Sequence, residues 1–362
     1  GLEGQNYYNS QKVAGESKNT AYNTFNFHDI AFQMPLAKKL GLGFSLTPYS
    51  SVGYRVSADE QSDDVWGNIG RVQYLYAGEG DLTEVKLGIG WEVVKRVSIG
   101  VAAQYYWGDI ERTYQTVVSN NIVNGGSVNT VTGTDSYGIS RIKMQLGLQA
   151  DLIQSERQVL TLGATYDMGG NLRPSVNQTV VNGDIYGTVV RGDTTRMALK
   201  LPVQLGVGLY YQNAKIAAGV DYIYQNWENN ESPKSVPGAV NVAYKNTNTV
   251  KLGFEYTPNR MDIRNYLKRW SYRVGFRYGT YYQTFEGKTL SQYAVTAGFG
   301  MPVRFLGRSS IDFGVEFGQR GNDSPLRIDN RQIGLVRQRY VKFSLGLTLF
   351  GEDSWFVRYK YD

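Results

Sequence analysis

The side chains that could do chemistry in this 362-residue chain are few, and their spacing works against it. No cysteine is present and His28 is the single histidine, so thiolate chemistry and histidine-based zinc or acid–base sites cannot be built. Glu84 and Glu92 share a parity, as paired carboxylates would require. Eight residues of strand separate them by about 26 Å, beyond the reach of two-carboxylate catalysis. The segment EGKT at 286–289 ends like a phosphate-binding loop, but the position that needs the first glycine is Tyr282. Asp59, Glu60, Asp63 and Asp64 could hold a divalent cation in an outer loop, but they read first as a solvated loop face. No nucleophile–base set emerges, so the chain reads as a non-enzyme without a metal or other cofactor. Its net charge of +6 is dispersed along the chain, which argues for an anionic lipid surface and against a nucleic-acid partner.

The elements that carry these residues explain the dispersal. In TEVKLGIGWEVVKRVSIGVAAQYYW, residues 83–107, Val85, Leu87, Ile89, Trp91 and Val93 alternate with Glu84, Lys86, Gly88, Gly90 and Glu92. The pattern resumes with Val97, Ile99, Val101, Ala103, Tyr105 and Trp107. A period of two places one set on each face of a strand, and a three-residue turn at 94–96 pairs Val93 with Val97. Each arm is about eleven residues long, the length of a tilted strand that crosses a bilayer.

The same alternation recurs at 40–46, 142–150, 160–168, 197–209, 216–224, 250–256, 272–278, 293–301, 311–317 and 341–349, with weaker strands at 1–9 and 24–34. It predicts an all-β fold, a transmembrane antiparallel barrel of about fourteen strands. Short links near 35–39, 94–96, 152–158, 211–214, 258–269 and 302–309 alternate with long polar links near 11–23, 49–82, 108–135, 170–195, 227–245 and 320–336, with a shorter one at 283–288. Short periplasmic turns and long extracellular loops are the asymmetry of bacterial outer-membrane barrels. Aromatic clusters at strand ends, such as Tyr105-Tyr106-Trp107 and Trp270-Ser271-Tyr272, suit the two membrane interfaces. The charged parity then lines a wet bore, where Lys251 or Glu255 is expected to pair with Arg273 or Arg277 across neighbouring strands.

Residues 1–350 read as one barrel domain and 351–362 as a periplasmic tail. The stretch TPNRMDIRNYLKRW, 257–270, reads as a structural periplasmic turn or as a docking surface for another protein, with Met261, Ile263, Leu267 and Trp270 available for an interface. The expected surroundings are membrane lipid and lipopolysaccharide, in the outer membrane of a Gram-negative bacterium.

LTPYSSVGY (46–54) and YAGEGDLTEVKLGIGWEV (76–93) resemble the corresponding region of the FadL family of outer-membrane transporters for long-chain fatty acids and other hydrophobic compounds. The resemblance is clearest over residues 24–110. It implies a fourteen-strand barrel with an N-terminal hatch, outer loops that capture a hydrophobic small-molecule ligand, and lateral release through a gap in the wall. Gly43 and Pro48 are the candidate kink, and Tyr49 and Tyr54 the candidate ligand contacts. The family's Asn-Pro-Ala hatch motif is absent, so the hatch lies upstream of Gly1 or the gating differs. The first reading is passive uptake of hydrophobic small molecules such as long-chain fatty acids; the alternatives are an accessory barrel in a larger outer-membrane assembly or secretion complex containing other outer-membrane or periplasmic proteins, and a polar-solute porin.

Overall fold

A computed structural model describes residues 1–13, 16–60, 63–119, 128–182, 188–191, 195–196, 199–228, 242–303, 309–323, 325–328 and 331–349. The proposed tail at 351–362 lies outside the described residues. The wall is built from β1 (Leu2–Val13), β2 (Glu16–Phe27), β3 (Ile30–Ala37), β4 (Leu40–Asp59), β5 (Arg71–Val94), β6 (Val97–Ser119), β7 (Val128–Gln154) and β8 (Gln158–Asp167). It continues through β9 (Val203–Asn213), β10 (Ile216–Asn226), β11 (Thr247–Tyr256), β12 (Ser271–Phe285), β13 (Lys288–Val303), β14 (Ser309–Arg320) and β15 (Val336–Thr348).

Antiparallel ladders join β3 to β4 and so on in order to β15, then β15 to β1 and β1 to β2. The ring is completed by chain continuity, because β2 runs into β3 through His28 and Asp29. Those two strands are the halves of one stave, so fifteen strands make fourteen positions around the bore. The ladder changes partner at the break: His28 N donates to the Gly1 carbonyl at 2.8 Å and Gly1 N donates to the Asp29 carbonyl at 2.7 Å.

The outward parity is the one that alternation selects. Leu87 is 49% exposed and Ile89, Trp91, Ile99 and Val101 are exposed with it, whereas Glu84 and Gln104 on the opposite parity are buried. Apolar side chains outside and charges inside are the arrangement that lipid demands of a spanning barrel. The register of the 83–107 hairpin is also as the parity requires, with Trp91 opposite Ile99 and Leu87 opposite Ala103. The turn itself is tighter than expected. Val94 pairs with Val97 across Lys95 and Arg96, Arg96 takes a φ of 73°, and a bulge between Glu92 and Val94 absorbs the extra residue.

The long polar links differ from expectation. Much of 11–23, 49–82 and 108–135 is strand, since the ladders run on to Asp59 opposite Gln73, Arg71 opposite Ser119, and Ser119 opposite Val128. Above the apolar band water wets both faces, so side-chain alternation disappears while backbone pairing continues. The 283–288 link is a two-residue turn in which Glu286 (φ 47°) and Gly287 (φ 75°) are both left-handed, as a tight hairpin requires.

Candidate functional site

Three features of the bore position the groups that could act. The first is a break in the wall. Above the row where Ile30 meets Leu46, β4 keeps its ladder to β5 but has none toward β2, among the described residues. Accordingly β4 changes from half-buried at Leu40–Thr47 to almost wholly exposed from Pro48 to Asp59, and β2 is exposed along nearly its whole length. Two unpaired backbone edges therefore flank an opening toward the extracellular end. Gly43 lies below it, in a doubly paired ladder opposite Gln33 and Gly88. Pro48 stands at its lower lip, where the β4–β5 register shifts between Pro48 and Ser50, as the missing proline N–H allows. Tyr49 is the residue skipped by that shift, and its ring packs edge-on against Tyr106 with centroids 4.8 Å apart. Tyr54 lies higher on the same edge, its ring over Gly78.

The second feature is an apolar cluster inside the wall beside that opening. Leu82, Tyr106 and Ile139 from β5, β6 and β7 enclose Leu172, which is 1% exposed, with Ile110, Leu199 and Leu201 around them. Leu172 belongs to a tongue that follows β8, paired through Gly170–Asn171 with Lys200–Leu201. Two wall cations hold the tongue by its carbonyl oxygens: Arg141 Nε donates to Leu172 at 3.1 Å and Lys143 Nζ to Gly170 at 2.6 Å. At its root, Asp167 accepts from the side-chain amides of Gln104 (3.0 Å), Gln145 (2.7 Å) and Gln204 (3.1 Å). Residues 170–174 had the composition of an outer loop, yet they fold inward. The signal was the pair Leu172 and Pro174, apolar residues that a solvated loop has no reason to carry.

The third feature is a ladder of ion pairs on the other flank. Glu255 accepts from Arg273 at 2.8 Å, and Arg273 continues to Asp312 on β14, passing over β13. That reach exists because β13 turns Ala294, Thr296, Gly298 and Gly300 toward the bore, and a Cβ on Gly300 would stand 2.4 Å from Asp312 Oδ1. Arg277 donates to Glu316 and to Tyr340 at 2.8 and 2.9 Å, and Tyr340 donates to Glu316 at 2.6 Å. Lys342 pairs with Glu3 at 2.8 Å. Lys251 faces Asp221 and Arg277 across its ladders and makes no ion pair among the described residues. Of these charges, Lys251, Glu255, Arg273 and Asp312 line a cavity of about 650 Å³ that also touches Asp29 and Asp221.

The other chemical candidates stay apart. His28 Nδ1 sits 2.9 Å from Asp29 at the β2–β3 break. Asp59 accepts from Gln73 and Glu60 accepts from Tyr74, and no metal-ligand cluster occurs among the described residues.

The BamG family model matches residues 4–362. The chain belongs to the BamG family. No curated protein matches its sequence. Solved structures share the fold across almost the whole chain. A FadL homologue of Pseudomonas aeruginosa aligns with a TM-score of 0.62 at 12% identity, covering 96% of this chain and 89% of its own. The toluene transporter TodX of Pseudomonas putida gives 0.58 at 14% identity over 97% and 90%. The monoaromatic hydrocarbon channel CymD gives 0.53 at 12% over 98% and 89%. At such identities the likeness is one of fold, that of an antiparallel β-barrel.

Proposed function

We propose that this barrel serves as an accessory subunit of an outer-membrane protein assembly, on a scaffold of the FadL type. The observation that carries this reading is the tongue. The apolar cluster behind the wall opening, where a hydrophobic solute would be held, is filled by the chain's own Leu172 and bolted through Arg141 and Lys143. On the other flank of the bore the ion pairs of Glu255, Arg273 and Asp312 and of Arg277 with Glu316 face inward, charges that an apolar molecule would have to pass. The family name, BamG, hints at assembly as well. The test is to solubilise outer membranes in mild detergent and resolve the barrel by native electrophoresis. Migration with stoichiometric partner chains, well above its own 40.6 kDa, is expected; a lone barrel carrying copurified lipid would overturn the reading.

The break between β2 and β4 supports a second reading, passive uptake of a hydrophobic small molecule with lateral release. Pro48 would then set the lip and Tyr49 and Tyr54 would contact the ligand. Retraction of Leu172 would have to open the cluster, and long-chain fatty acids are one class that would fit. Saturable uptake of a labelled fatty acid into proteoliposomes, abolished by a disulfide that locks the tongue to β6, would favour it.

A further inference from the structure

The loop between β11 and β12, residues 257–270, is unlike the other periplasmic links. Those at Lys38–Lys39, Lys95–Arg96 and Ala214–Lys215 are two residues long. This loop is long, internally ordered and apolar at its tip. Its neck is closed by Thr257 and Ser271 hydroxyls 2.8 Å apart and by Asn259 N donating to the Lys268 carbonyl at 2.8 Å. Inside, short polar side chains fix the turns: Asn259 accepts from Met261 N at 3.1 Å, Asp262 from Arg264 N and Asn265 N at 2.9 and 2.8 Å, and Asn265 from Leu267 N at 3.1 Å. The loop leans across the rim, where Tyr266 donates to the Pro302 carbonyl at 2.7 Å and Trp270 stacks on Phe299.

On this fixed frame Ile263 is 99% exposed and Met261 is 73% exposed, with Leu267 beside them. Around them stand Arg260, Arg264, Lys268 and Arg269, of which Arg260 reaches Glu255 at 3.5 Å and Lys268 reaches Asp262 at 3.9 Å, leaving an excess of positive charge. The Asp262 carboxylate is occupied by backbone N–H groups, and the Arg264 side chain has no ion-pair partner among the described residues. The described turns at 38–39, 95–96 and 214–215 add Lys38, Lys39, Lys95, Arg96 and Lys215 to the positive charge of this rim.

We propose that this loop is a docking knob for a periplasmic protein partner whose apolar groove, bordered by carboxylates, receives Ile263 and Met261. The inference rests on the accessory-subunit reading and names where the partner sits. Charge complementarity selects an acidic partner. Pre-ordering selects a shaped one, because fixing the loop in advance lowers the entropy cost of binding to a defined groove and gains nothing in a fluid lipid leaflet. A central apolar anchor inside a charged rim is the usual arrangement of a strong contact.

The test places the photo-crosslinker p-benzoylphenylalanine at position 263 of the full chain in living cells. A single protein adduct of defined mass is expected, acidic when identified, with its yield reduced about tenfold by Arg264→Glu. Adducts confined to phospholipid, or a yield indifferent to Arg264→Glu, would overturn the proposal. Heat-modifiable mobility checks that each variant is a folded barrel. Native electrophoresis separates the two levels of failure. A complex that survives Ile263→Asp unchanged removes the knob alone, whereas a wild-type barrel that migrates by itself removes the accessory reading.

Discussion

The two flanks of the bore carry polar side chains inward by different means. On the β5–β8 flank, amides and cations bind the chain to itself: three glutamines surround Asp167, and Arg141 and Lys143 hold the tongue that delivers Leu172. On the β12–β15 flank, charges of opposite sign pair from strand to strand across the small residues of β13. The first flank is packed, whereas the Glu255–Arg273–Asp312 bridge of the second is open to water, with Arg273 45% exposed. Packed apolar contacts and buried hydrogen bonds are expensive to break, whereas ion pairs in water contribute little.

That contrast sets an order of effects. Leu172→Ala should be among the largest, about 2–5 kcal/mol, the range for emptying a packed leucine site. Urea unfolding of the refolded barrel in lipid vesicles would measure it, and a loss under 1 kcal/mol would show that the cluster is not packed as described. Next comes the wall itself. Leu87→Arg should cost about 2–4 kcal/mol, since it sets a cation in hydrocarbon, while Lys86→Leu on the inner parity should be nearly neutral. Equal refolding yields would reverse the assignment of faces.

On the wet flank, Asp312→Asn should cost only about 0–1 kcal/mol, because Arg273 keeps Glu255 and stays in contact with water. A loss as large as that of Leu172→Ala would erase the distinction between the flanks. The smallest effect belongs to the rim. The backbone N–H groups of Asn265 and Arg264 hold the Asp262 carboxyl below its ordinary value of 3.8. This contribution is complete above that value and is lost as the pH falls through and below it. Protection factors of the amides in residues 261–268, taken against the intrinsic exchange rate at each pH, should therefore fall on acidification, and Asp262→Asn should remove most of that pH dependence.

Much of the barrel could be read from residue types. Leu87, Ile89 and Trp91 against Lys86, Gly88 and Gly90 were enough to assign lipid and bore, and the register at Trp91–Ile99 followed from parity. Glu255 and Arg273 could be matched because cross-strand neighbours on one face meet directly. The bridge from Arg273 to Asp312 could not, since it spans a strand and depends on what β13 omits. Pro48 drew notice as a backbone irregularity, but that the ladder fails on one side of β4 and persists on the other is a fact about its neighbours.

Local alternation and turn chemistry therefore settled which residues cross the apolar band and which face each side chain takes there, since each depends on contacts with solvent or adjoining residues, but not how far the strands run on beyond it. Ring closure through a stave that changes partner at His28–Asp29, the opening beside Pro48 and the inward fold of Leu172 were decided in three dimensions. Each unites segments far apart in the chain, and the free energy that selects them comes from packing and pairing that exist only once the wall has closed.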